Sequence, residues 1–117
     1  MKISFDFDST LTEENNQKLA KKFIDDGHEV WITTSRLSSD HGRSKGWSWI
    51  ITQNEKLFAI AKDLGIPEDK IKFTEGDDKW KSLYTFDIHF DDDDVEIELI
   101  NENLPDCCGI LLYKKIN

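Results

Sequence analysis

The sequence predicts an α/β fold in which helices cover a parallel sheet. Segments with the alternation or β-branched composition of strands are followed, one after another, by segments whose apolar residues recur at helical spacing. The chain has 117 residues, 38% hydrophobic and 33% charged, so it is long enough for one core but not for two. We therefore expect residues 1–117 to form a single layered domain. Strand–helix–strand crossovers are almost always right-handed and bring the carboxyl ends of parallel strands to one edge, where a site can form.

The first predicted strand leads directly into two carboxylates. Residues 2–12 begin with alternating polar and apolar side chains and carry Asp6 and Asp8 where the strand ends. Residues two apart in a strand point to the same face, so these acids begin on one side of the sheet. Two carboxylates this close repel each other, which favours a bound cation. The alternative is a strand end whose acids are merely solvated.

A helix is expected next, over residues 12–26. Thr12 caps it in this prediction, or else Thr10 and Glu13 form a capping box. Gly27 is a natural left-handed terminator, so the chain is expected to turn there into the next strand.

β-Branched and aromatic residues predict the second strand over residues 28–34. The strand ends in the hydroxyl side chains of Thr33, Thr34 and Ser35, which are followed by Arg36. Because parallel strands end at the same edge, we expect these groups to lie near the two carboxylates.

Residues 37–51 are predicted to form a long loop, because serines and glycines alternate with basic residues and tryptophans. Arg43, Lys45 and Trp47 leave the predicted site edge and are expected to grip a phosphorylated, ring-bearing substrate. The alternative is that the tryptophans only anchor the loop to the core. His41 is expected to be a surface histidine, since no second His or Cys is placed to complete a metal site.

A second covering helix is predicted to begin at the capping box formed by Thr52 and Glu55. Its apolar residues recur at helical spacing until Gly65, where the helix should end. A third strand is predicted over residues 71–74, after a short turn.

Asp77 or Asp78 is then expected to cap a short helix, which places Lys79 in its first turn. A cation at that end is unfavourable towards the helix dipole, so Lys79 suggests a task that involves an anion. The alternative is an ordinary exposed lysine.

The fourth predicted strand, residues 86–90, opens onto four consecutive acids, residues 91–94. An acidic run directly after a strand, in a chain that already has acids after its first strand, suggests a shared cation. A helix over residues 95–100 is expected, capped by Asp94, and residues 109–113 are the last predicted strand.

The composition excludes some partners. With 24 acids and 15 bases the formal charge is -9, which argues against general nucleic-acid binding or binding to an anionic membrane.

No apolar run approaches the roughly 20 residues that a bilayer requires, and no signal peptide is visible, so a cytoplasmic protein is expected. The adjacent Cys107 and Cys108 are expected to be small apolar fillers without a disulfide.

Taken together, these residues resemble the haloacid dehalogenase (HAD) superfamily of phosphotransfer enzymes. Four motifs in order carry the resemblance across nearly the whole chain. The matching segments are residues 5–10 for the D-x-D-x-T motif, residues 27–36 for the strand that ends in Thr or Ser, Lys79 for the third motif, and residues 89–92 for the acidic pair.

The resemblance implies a three-layer, Rossmann-like fold with five parallel strands in the order 3-2-1-4-5 and no cap domain. It also implies a phosphatase reaction in which Asp6 is the nucleophile that forms an aspartyl-phosphate and Asp8 is the general acid and base. Thr34 and Lys79 would bind phosphate oxygens. Thr33 remains an alternative in the second motif, and Lys81 or Lys72 in the third.

The implied cofactor is Mg²⁺, held by the Asp6 carboxylate, the Asp8 backbone carbonyl, Asp91 and Asp92. Substrate contacts are expected from five residues, which are Ser35, Arg36, Arg43, Lys45 and Trp47. The substrate would be a nucleotide or sugar phosphate, or the phosphorylated end of a macromolecule, and a partner subunit can substitute for the cap. The alternative is a non-catalytic, cation-binding interaction module.

Overall fold

The computed structural model describes residues 1–113 and contains a five-stranded, all-parallel sheet in the order β3-β2-β1-β4-β5. This order confirms the predicted fold class, and no cap domain is present among the described residues. Within the same range, no helix combines the length and apolar composition needed to cross a bilayer. The strands are β1 Lys2–Phe5, β2 Glu29–Thr34, β3 Ile71–Phe73, β4 Ile88–Asp91 and β5 Cys108–Leu111; the helices are α1 Glu14–Asp25, α2 Ser39–Lys45, α3 Ser48–Leu64 and α4 Asp94–Asn103.

The alternation in the strands divides the protein into two cores. Ile3 and Phe5 of β1 point to the face that α1 and α3 cover, and they pack with Ile32, Leu57 and Ala20 in the larger cluster. Side chains at these spacings are buried because the strand period is two and the helix period is 3.6.

The opposite face of the sheet lies beneath α4 and a 3₁₀ turn, Lys79–Ser82. Its smaller cluster includes Leu83, Phe86 and Ile100. The carboxyl ends of the strands lead from this second face to the acidic residues that follow β1 and β4.

The predicted loop over residues 37–51 is wrong, because the structure has α2 and the first turn of α3 there. The Ser38 hydroxyl caps α2 by accepting from the His41 backbone N–H at 3.1 Å, and Gly46 ends it with a φ of +72°. α3 begins at Ser48 rather than at the predicted Thr52. Serine and glycine were interpreted as loop residues, but here they cap and end a short helix.

Gly42 is required by the contact between α2 and α3. A Cβ at this position would lie 2.9 Å from Ile50 Cβ and 3.1 Å from the Trp47 carbonyl oxygen. The two helices therefore approach closely only because this residue has no side chain.

The predicted caps of α1 and α4 are also wrong. α1 begins at Glu14 without a side-chain cap, so neither Thr12 nor Thr10 caps it, and the Thr10 hydroxyl donates to Asp6 instead. α4 is capped by Asp93, whose carboxylate accepts from the backbone N–H of Val95, so Asp94 is its first residue.

The short helix after β3 is present as the 3₁₀ turn, but the side chains of Asp77 and Asp78 do not cap it. Both cysteines are free, as expected. Cys107 is a buried filler, whereas Cys108 is exposed and is not one.

We predict that Gly42→Ala lowers the free energy of unfolding. Helix propensity alone would favour alanine by about 1 kcal/mol, but overpacking against Ile50 and a backbone carbonyl costs about 1 to 3 kcal/mol. Urea denaturation should show a net loss. Ser44→Ala, at an exposed position of the same helix, is the control and should be nearly neutral. A stabilised Gly42→Ala protein would contradict the close packing of α2 on α3.

Candidate active site

Two acidic strand ends meet at the carboxyl edge of the sheet. β1 and β4 are hydrogen-bonded neighbours, and the Asp6 backbone N–H donates to the Phe90 carbonyl at 2.8 Å. Asp6 follows β1 directly, and Asp91 is the last residue of β4. The chain order reverses at β1, with β2 on one side and β4 on the other, which is where parallel α/β sheets form their sites.

Lys79 lies between the two buried carboxylates. Its Nζ is 2.7 Å from Asp6 Oδ1 and 2.7 Å from Asp91 Oδ2, and the residue is 3% exposed. Its backbone N–H donates to a carboxylate oxygen of Glu96 on α4 at 3.0 Å. The other two lysines considered for the third motif bind elsewhere: Lys81 pairs with Asp77 at the surface, and Lys72 Nζ donates to the Ser82 carbonyl at 2.8 Å.

Asp6, Asp91 and Asp92 can hold a metal ion. Each offers a carboxylate oxygen, and these oxygens lie within 4.8 Å of one another. Octahedral Mg²⁺ with oxygens at 2.0–2.1 Å places opposite ligands roughly 4.2 Å apart. The three oxygens therefore fit a shared Mg²⁺ with modest adjustment. The Asp8 carboxylate does not belong to this group, and a role for its backbone carbonyl as a ligand stays a prediction.

Burial and the neighbouring charges shift the pKa values of the two acids. Burial raises the pKa of Asp6 to about 8, and the nearby Asp91 adds to this, although the Lys79 ammonium acts against it. Burial would also raise the pKa of Asp91, but the hydrogen bond to His89 and the Lys79 charge lower it to about 2. Two carboxylates share one ammonium, so one acid is left uncompensated. Asp6 is that acid.

His89 and Thr10 are two site residues that the sequence analysis missed. His89 Nε2 lies 2.9 Å from Asp91 Oδ2, and burial lowers the pKa of this fully buried ring, which keeps it neutral. The Thr10 hydroxyl donates to Asp6 Oδ2 at 3.2 Å. The strand alternation could have predicted that His89 lies beside Asp91, because residues two apart in a strand point to the same face.

Asp8 lies within a tight turn over Phe7–Leu11, which begins directly after Asp6. Ser9 in this turn has a φ of +61°, and the Asp8 side chain is 56% exposed. Its carboxylate is bound by the Arg36 guanidinium, with contacts at 2.9 and 2.7 Å. Arg36 thus contacts an acid of the site.

The hydroxyl residues at the end of β2 have different surroundings. Thr33 accepts a 2.6 Å hydrogen bond from the Ser4 hydroxyl beneath the sheet, whereas Thr34 Oγ1 accepts from the Arg36 backbone N–H at 3.3 Å. Both threonines are buried, and Ser35 is exposed. The choice of Thr34 for the second motif stays a prediction.

A cleft of about 420 Å³ opens above these groups. Arg43, Lys45 and Trp47 are not among the residues that line it. Arg43 pairs with Asp40 and lines a separate cleft, and Trp47 stacks on Trp49 with ring centroids 6.4 Å apart. Their role in substrate binding stays a prediction. The site cleft is lined by Asp6, Asp8, Ser9, Ser35, Lys79, Asp91, Asp92, Asp93 and Asp94.

No family model, curated protein or solved structure matches the chain. The resemblance to the HAD superfamily therefore stays a prediction from the motifs.

We predict that Mg²⁺ stabilises the protein. A ligand that binds only the folded state adds about 2.7 kcal/mol at a hundredfold excess over its dissociation constant. Thermal unfolding with and without saturating Mg²⁺ measures the effect, and Asp92→Asn should reduce it. Asp106→Asn removes one exposed acid elsewhere and should leave it unchanged. A midpoint that ignores Mg²⁺ in the unmodified protein would show that the acids do not form a metal site.

We also predict that Asp6→Asn stabilises the metal-free fold, and increasingly so as the pH rises. The pKa of Asp6 is about 8 in the folded protein, against an ordinary value of 3.8. Between these values the folded state retains a proton that the unfolded state has lost, so stability falls as the pH rises. An amide in place of the carboxyl removes this loss. Thermal midpoints from pH 4 to 8, with chelator present, should diverge in favour of the variant; a constant difference would refute the raised pKa.

Proposed function

We propose that the protein is a Mg²⁺-dependent phosphomonoester hydrolase that works through an aspartyl-phosphate. The observation that carries this proposal is the convergence of Asp6, Lys79 and Asp91, with Lys79 2.7 Å from both carboxylates, beside Asp92. A carboxylate nucleophile next to a fixed ammonium and a cation site is suited to attack on a phosphoryl group, whose negative charge must be offset.

In the first half of the reaction, the Asp6 carboxylate attacks phosphorus and the bond to the leaving oxygen breaks. Asp8, on the same cleft, donates a proton to that oxygen as the alcohol departs. The product is an acyl phosphate on Asp6. The two roles require two separate carboxylates, and the turn after β1 separates them.

In the second half, Asp8 accepts a proton from water, and the water oxygen attacks the phosphorus. The bond between phosphorus and the Asp6 oxygen breaks, which releases inorganic phosphate and restores the carboxylate. The sum is one phosphomonoester and one water converted to one alcohol and one phosphate. An acid at the position of Asp8 favours hydrolysis over long-lived storage of the aspartyl-phosphate.

The groups around Asp6 would stabilise the negative charge of the transferring phosphoryl group. Lys79 is oriented by its two carboxylate contacts and would bind a phosphate oxygen, with Thr34 at the end of β2 binding another. Mg²⁺, held by Asp6, Asp91, Asp92 and the Asp8 carbonyl, would supply a Lewis acid for the transferring group and would lower the pKa of Asp6. The contact between His89 Nε2 and Asp91 Oδ2 fixes the Asp91 carboxylate.

The open cleft suits substrates that present a phosphate at an exposed position. These include a nucleotide or sugar phosphate and the phosphorylated end of a macromolecule. The formal charge of -9 requires that such a substrate is attracted by local cations and not by the protein as a whole.

We predict Mg²⁺-dependent hydrolysis of p-nitrophenyl phosphate. Asp6→Asn should abolish turnover because an amide is not a usable nucleophile. Asp8→Asn should lower kcat by about 10²- to 10⁴-fold, the usual contribution of a general base, because p-nitrophenolate departs without a proton and the loss falls on the activation of water. Asp25→Asn, an exposed acid on α1, is the control. Equal rates with Mg²⁺ and with excess chelator would refute the proposal. Stabilisation by Mg²⁺ without turnover of any member of a phosphomonoester panel would favour the cation-binding module.

A further inference from the structure

The Asp8 carboxylate needs a constraint, because it lies on an exposed turn. Its side chain is 56% exposed. An aspartate with this exposure loses rotamer entropy whenever it is held in one orientation. A general acid or base must nevertheless lie within hydrogen-bond reach of the reacting oxygen, so a neighbouring group has to fix it.

Arg36 supplies that constraint through both carboxylate oxygens. Its Nε donates to Asp8 Oδ2 at 2.9 Å, and its Nη2 donates to Asp8 Oδ1 at 2.7 Å. A bidentate pair fixes the position and the plane of a carboxylate, which a single contact does not.

Arg36 is itself held on its remaining side. Its side chain is only 13% exposed, and its Cζ lies 4.9 Å from the centre of the Phe7 ring. The remaining nitrogen, Nη1, donates to the Gln53 carbonyl at 2.7 Å and to Asn54 Oδ1 at 3.5 Å. All three guanidinium nitrogens are therefore in use.

The buried Asn54 amide is oriented by the beginning of α2. Its Nδ2 donates to the Leu37 carbonyl at 2.9 Å and to Ser39 Oγ at 3.3 Å. These two acceptors require the amide nitrogen on that side, which turns the amide oxygen towards Arg36. Hydrogen bonds therefore connect the beginning of α2 to Asp8 through Asn54 and Arg36.

We propose that Arg36 and Asn54 are positioning residues that hold the ionised Asp8 carboxylate in place for the step in which it accepts a proton from water. This inference rests on the proposed function, since it takes Asp8 as the general acid and base. It replaces the sequence-based expectation that Arg36 binds substrate. The ion pair has one exposed partner, so it contributes little to stability, and its main effect is on orientation.

The kinetic test compares Arg36→Gln and Arg36→Lys. We expect Arg36→Gln to lower kcat for p-nitrophenyl phosphate by roughly 10- to 100-fold with little change in KM, the size of loss that misplacing a catalytic group causes. Arg36→Lys should recover part of this loss. Lys62→Gln removes one exposed charge from α3 and is the control. A raised KM with unchanged kcat would overturn the inference in favour of substrate binding.

A double-mutant cycle with Asp8→Asn tests whether Arg36 acts through Asp8. If it does, adding Arg36→Gln to Asp8→Asn should cost no further activity. Additive losses would show an independent role for Arg36 and overturn the inference.

A third measurement does not depend on activity. The chain has only two arginines, Arg36 and Arg43, so their Nε–H signals in a ¹⁵N–¹H spectrum are easily assigned. We expect slow hydrogen exchange for Arg36 and fast exchange for Arg43, whose partner Asp40 is exposed. Asp8→Asn and Asn54→Ser should each speed exchange at Arg36.

The two kinds of measurement separate the possible failures. Fast exchange at Arg36 in an active protein would refute the positioning alone. Slow exchange in a protein without turnover would refute the proposed function, and the catalytic role of the positioning pair with it.

Discussion

The site depends on one electrostatic constraint, which is the burial of two carboxylates side by side. Asp6 and Asp91 are brought together because β1 and β4 are neighbours that end at the same edge. Burying a charge without a partner is costly, and one ammonium between two acids offsets only part of that cost. Lys79 reaches the edge from the connection between β3 and β4, which the strand order β3-β2-β1-β4-β5 forces to cross the sheet. The remaining imbalance is what makes the edge attractive to a cation.

Three acids of the site, Asp6, Asp8 and Asp91, are each held by a different side chain. Thr10 holds Asp6, His89 holds Asp91, and Arg36 holds Asp8. Groups fixed in this way need little reorganisation when charge develops during a reaction, so preorganisation is spread over several parts of the fold. The proposed reaction uses this property directly, because its two carboxylates must differ in role while they lie close together.

The helix pair α2–α3 connects the edge of the sheet that carries the candidate site to the larger core. Gly42 permits the close approach of the two helices, and Asn54 joins the beginning of α2 to Arg36. A segment that has the composition of a loop is thus part of the packed structure. Its exposed tryptophans lie on this rigid support, although they do not line the cleft.

The sequence by itself determined the order of the five strands, three of the four α-helices and the two acidic strand ends, and it narrowed the third motif to three lysines. Alternation, glycine terminators and acids after strands are local signals, and the motif resemblance added the strand order. The sequence did not reveal α2, the roles of His89 and Thr10, or the partner of Arg36. Serine and glycine occur in loops and at helix ends alike, so composition cannot separate the two. Arg36 and Asp8 lie 28 residues apart, and Lys79 and Asp6 lie 73 apart. Only the tertiary structure decides which polar side chains meet over such distances, because the meeting depends on the strand register and on the path of each connection, which no local pattern encodes.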